Sequence, residues 1–111
     1  MDLKMRKITS SLGAAAALLA FTAIARNKGD MERGKKVFEQ CAVCHNADTP
    51  ETKVGPSLKG LFRRKKLKDG KAVSDENVLA KINSGGGGMP SFADTLSAEE
   101  KDNLLAYLRA I

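Results

Sequence analysis

The chain has no tryptophan, one histidine, one tyrosine and two cysteines in 111 residues. A single histidine excludes every multi-histidine metal site, and two cysteines exclude a disulfide framework. Proline and glycine are scarce at 3 and 10 residues, too few for a disordered low-complexity chain. No segment alternates apolar and polar residues over a sustained run, so strands are not expected. Acidic residues are the minority charge, 13 against 19 Lys and Arg, which leaves a formal +6. The length suits one domain.

What is present begins with a segment unlike the rest. Lys4, Arg6 and Lys7 form a positive start, and Ile8 to Ala25 then carries no charge and seven alanines. The segment ends Ala23-Ile24-Ala25, followed at once by Arg26. A positive start, an uncharged middle and an A-x-A end are the parts of a secretory signal peptide, so residues 1–25 read as a signal and 26–111 as the exported domain. Retention as a membrane anchor is the alternative, although eighteen alanine-rich residues are short for a span. Residues 26–111 hold 16 basic and 12 acidic side chains, a net +4. A domain of that size with so few aromatics sits near the limit of a self-sufficient core and calls for a staple.

The pattern predicts an all-α domain of three to four helices joined by long loops. A first helix is expected over Asp30–Cys41, capped by Asp30, with Gly34, Val37, Phe38 and Cys41 on one face. Residues 46–57 read as loop and Ser57–Phe62 as a short helical turn. The charged stretch 63–71 ends in the turn signal Asp69-Gly70. Ser74 caps a helix carrying Val78, Leu79 and Ile82, which ends at Asn83-Ser84-Gly85. Gly85 to Gly88 favour a loop and close backbone approach. Ser97-Ala98-Glu99-Glu100 is a capping box that opens a last helix with Leu104, Leu105, Tyr107 and Leu108 as its apolar stripe.

Cys41-Ala42-Val43-Cys44-His45 carries the chemistry. The C-x-x-C-H string is the attachment motif of c-type haem. Two thiols three positions apart on a helical turn reach the two vinyl groups of one porphyrin edge. The adjacent His45 then offers an imidazole nitrogen to the iron. Zinc needs four ligands, and these three exhaust the Cys and His of the chain. A thioredoxin-like pair expects a βαβ unit, and a plain disulfide leaves His45 without a role. Covalent haem c, with its iron, is also the staple that the small core lacks.

The second axial ligand follows by elimination. No other histidine exists, Met1 and Met5 lie in the leader, and Met31 precedes the motif too closely to cross to the opposite haem face. Met89 remains, 44 residues after His45, between the glycines and Pro90.

With these residues the chain resembles the class I cytochromes c, the small monohaem carriers. The resemblance runs through Gly29–Phe38, the haem motif, Val54–Phe62, Met89-Pro90 and Leu104–Leu108. It implies the cytochrome c fold, with Gly34 and Phe38 crossing Leu104, Tyr107 and Leu108. It implies that the Pro56 carbonyl accepts the His45 ring N–H, and that Arg64 lies near a haem propionate. Two departures stand out: only two residues separate Phe38 from Cys41, and no tryptophan is available to hold a propionate.

His/Met ligation closes both axial positions and suits one-electron transfer rather than catalysis. The expectation is therefore a non-enzymatic, monomeric shuttle between redox proteins in the periplasm, or facing it if the leader stays attached. A haem peroxidase or a gas or redox sensor, with a labile Met89, is the alternative. The run Arg63-Arg64-Lys65-Lys66-Leu67-Lys68 reads either as a docking surface for acidic donor and acceptor proteins or as a solvated loop. Nucleic acid is not an expected partner.

Overall fold

Three capped helices set the frame. The computed structural model describes residues 29–111, so the signal peptide expected at 1–25 lies outside the described residues. The helices are α1 (Met31–Phe38), α2 (Asp75–Ser84) and α3 (Ala98–Ala110), with a 3-10 turn at Leu61–Arg63 between α1 and α2. Among the described residues there are no strands, only the isolated bridges Lys66↔Ala72 and Gly86↔Met89. None of the described helices is long and apolar enough to cross a membrane.

Each start is the one its side chains dictate. Asp30, Ser74 and Ser97 accept from the backbone N–H groups of Arg33, Asn77 and Glu100, filling donors that a helix start leaves open. At α3 the box is complete, since the Glu100 carboxylate also takes the Ser97 N–H at 3.0 Å.

The first helix is shorter than its sequence period suggested. It stops at Phe38, and two tight turns follow. The Phe38 carbonyl accepts from both Cys41 N (2.7 Å) and Ala42 N (2.9 Å). The Cys41 carbonyl likewise accepts from Cys44 N (3.1 Å) and His45 N (2.9 Å). These turns keep helix-like i to i+4 bonds, so the apolar spacing runs on past the true helix end.

The core sits where α1 crosses α3. A Cβ built on Gly34 would lie 1.9 Å from the Asn103 carbonyl oxygen and 2.8 Å from Tyr107 Cβ, so only glycine lets the two backbones meet. Phe38 and Tyr107 stack at a tilt, with centroids 5.2 Å apart. Around them Leu61, Val78, Ile82, Leu96, Leu104, Leu105 and Leu108 are buried, each stabilising the fold by about 1.5–3 kcal/mol relative to exposure. The buried Asn103 side chain accepts the Asp30 N–H at 2.7 Å, which ties the start of α1 to α3.

The 3-10 turn docks through Gly60 N to the Ile111 carbonyl at 2.8 Å. It buries Leu61, while Leu58 and Phe62 stay half-buried. Arg109 pairs with Asp75 at 2.8 Å. The pair is partly exposed and contributes about 1 kcal/mol at most.

Candidate functional site

Local turns place the motif. The doubled bonds at Phe38 and Cys41 put Cys41 and Cys44 one turn apart, both half-buried and both free thiols. Burial, and then the neighbouring Cys44, push the Cys41 thiol up to about 11. Such surroundings disfavour a thiolate and suit an uncharged thioether.

His45 is held by the segment that follows it. Its Nδ1 lies 2.7 Å from the Pro56 carbonyl oxygen, so the ring donates from Nδ1 and keeps its Nε2 lone pair for a ligand role. A Cβ on Gly55 would fall 2.5 Å from His45 Cε1, and the missing side chain is what lets the ring lie against the strap. Gly55 N donates to the Cys44 carbonyl at 2.7 Å, and Leu58 N to the Asn46 carbonyl at 2.8 Å.

Met89 is presented by a tight turn. Gly86 and Met89 exchange backbone bonds of 2.9 and 3.2 Å, with Gly87 and Gly88 between them at φ +65° and +93°. Two consecutive positive φ values make a primed hairpin turn, which glycine alone adopts freely. Phe92 N donates to the Ile82 carbonyl at 2.9 Å, anchoring the loop on α2. Met89 itself is half-buried.

Arg64 is committed to main chain. Its Nη2 donates to the Ser57 and Lys59 carbonyls at 3.0 and 2.7 Å. The basic run forms a hairpin closed by Leu67 N to the Lys71 carbonyl at 2.7 Å and Gly70 N to the Leu67 carbonyl at 3.0 Å. Lys65, Lys66, Lys68 and Lys71 are exposed along it. A depression of about 330 Å³ is lined by His45 together with Lys35, Glu39, Asp48 and Tyr107, but not by either cysteine or Met89.

Two buried polar residues escaped sequence reasoning, one in the site and one at the helix crossing. Ser57, only 4% exposed, directly follows Pro56 and binds the neighbouring loop. Asn103 sits four residues before Tyr107 on the apolar stripe of α3, and that misplaced polar residue was the available signal.

The residues fit a covalently held porphyrin. Two unpaired thiols share one turn, and an imidazole nitrogen remains beside them. Leu58, Phe62, Leu67, Val73, Leu79 and Phe92 pack on the core yet stay partly uncovered, apolar surface of the kind a flat apolar group covers.

Comparison with known proteins agrees. The family model described as "Cytochrome C oxidase, cbb3-type, subunit III" matches residues 29–108. Cytochrome c6 of Bryopsis maxima is 33% identical over 81 residues, covering 72% of this chain and 90% of that protein. Cytochrome c type-1 of Ascaris suum is 54% identical over 39 residues, 34% of this chain, and the chain spans about a third (35%) of that relative's length. The solved structure of cytochrome c6 from the diatom Phaeodactylum tricornutum is similar with a TM-score of 0.59 at 26% identity, covering 74% of this chain and 93% of that one.

Proposed function

Because the chain belongs to the class I cytochrome c family, we propose that it is a one-electron carrier with one haem c. Cys41 and Cys44 would hold the haem as thioethers, and His45 and Met89 would ligate its iron. The bound haem supplies an iron couple that gains and loses a single electron. The chain's own residues do the rest. Pro56 orients the imidazole through the 2.7 Å bond to Nδ1 and raises its basicity. The half-buried apolar residues Leu58, Phe62, Leu67, Val73, Leu79 and Phe92 would limit water around the haem. Arg64 would meet a propionate with the N–H groups that its carbonyl bonds leave over.

One observation carries the reading: His45 Nδ1 is already committed to Pro56, beside two free thiols on the same turn. A ring fixed in that way has one nitrogen to give, as an axial ligand needs. With His45 and Met89 both on the iron, no position would be left for a substrate, which supports a carrier rather than an enzyme. Its partners are donor and acceptor proteins with acidic docking surfaces, met by the exposed lysines of the 63–71 hairpin. Export to the periplasm rests on the leader sequence, and the domain works as a monomer.

Replacing Met89 tests the reading. Met89→Ala should lose the red sulfur-to-iron charge-transfer band of the ferric protein, lower the potential, and let the ferrous protein bind carbon monoxide rapidly. An unchanged spectrum and potential would show that Met89 is not a ligand. Rapid carbon monoxide binding by the unaltered protein would favour a sensor or peroxidase.

A further inference from the structure

Among the described residues only Ser57 and Asn103 are buried polar side chains. Asn103 serves the α1–α3 crossing, whereas Ser57 sits in the strap that bears Pro56. Its hydroxyl donates to the Thr49 carbonyl, with the Asn46 carbonyl a longer second acceptor at 3.4 Å, and accepts from Lys59 N at 3.2 Å. Segment 55–59 is tied to segment 44–49 on both sides of the proline, with the Ser57 hydroxyl reinforcing the far side. Gly55 N to the Cys44 carbonyl closes one side, and Leu58 N to the Asn46 carbonyl closes the other. Arg64 adds an outer clasp on the Ser57 and Lys59 carbonyls.

We propose that Ser57 is a positioning residue for the His45 imidazole: its buried hydroxyl locks the strap that holds the Pro56 carbonyl against Nδ1. The proposal rests on His45 being the haem ligand. A carbonyl held firmly against the ring N–H makes the imidazole a stronger donor, and a stronger donor favours ferric over ferrous iron. Without the hydroxyl, the Thr49 carbonyl and the Lys59 N–H lose the partner that joins their two segments. The strap then loosens, and the potential rises.

The test compares Ser57→Ala with the parent holoprotein. The ratio of ferrous to ferric protein at a fixed applied potential should rise by up to about tenfold, which is about 59 mV for one electron. Exchange of the His45 Nδ1 proton, followed by NMR, should quicken about tenfold as the strap opens more often. The red charge-transfer band should stay, which separates this effect from loss of Met89. Ser57→Thr, which keeps the hydroxyl, should return both readings toward the parent. Ser57→Cys, close in size but with a weak S–H donor, should shift both in the same direction and serves if the alanine variant does not assemble. A lowered melting temperature with unchanged potential and proton exchange would make Ser57 a purely structural residue and overturn the proposal. A fall in potential would overturn it too. Absence of the red band in the parent would refute the ligand set instead.

Discussion

Gly34→Ala adds one methyl group at the helix crossing, and the structure says what it meets. The new Cβ would stand 1.9 Å from the Asn103 carbonyl oxygen, where ordinary contact begins at 3.4 Å. The obstacle is backbone, so no side chain can swing away, and α1 and α3 must part by roughly the difference. Overpacking of this kind costs about 1–3 kcal/mol. Parting the helices also weakens the Phe38–Tyr107 contact and the Asp30–Asn103 hydrogen bond, the latter worth about 1 kcal/mol. Against this, alanine gains about 1 kcal/mol over glycine in a helix. The balance is a loss of about 2 kcal/mol. For a domain of this size that lowers the melting temperature by about 8–16 °C. Thermal and denaturant unfolding of the holoprotein at 222 nm measure it, with Lys36→Ala on the exposed side of the same helix as a control within about 0.5 kcal/mol of the parent. A Gly34→Ala protein as stable as the parent, or more so, would show that the crossing is not close and that this account of the core is wrong.

Charge reversal on the basic hairpin tests its docking role. Lys66→Glu with Lys68→Glu should slow oxidation of the ferrous protein by anionic hexacyanoferrate about tenfold at low salt. The gap should close near 1 M salt, where screening acts within about 3 Å. The same variant should react faster with a cationic cobalt phenanthroline oxidant. Equal rates at low salt would make the hairpin a merely solvated loop.

Local signals were legible in the sequence and tertiary ones were not. The caps Asp30, Ser74 and Ser97 act within three residues, and all three are as expected. The haem motif is legible because its residues are contiguous, and Met89 is the expected second ligand only because the chain offers no competing histidine. The end of α1 was hidden because the turns after Phe38 preserve the helical bond pattern. Ser57 and Asn103 were missed for a different reason. Their partners are set by chain folding, and the Asp30–Asn103 bond spans 73 residues. Arg64 shows the same limit: the resemblance implied a propionate partner, whereas its bonds to the Ser57 and Lys59 carbonyls depend on how the strap turns.

The central claim is a single iron porphyrin joined to Cys41 and Cys44 and gripped by His45 and Met89. Intact mass and ferric absorption of the purified protein test it together. The account predicts one iron-porphyrin increment that survives denaturation, and a red sulfur-to-iron band. A polypeptide mass alone, or a pigment that washes out in acid solvent, would contradict it.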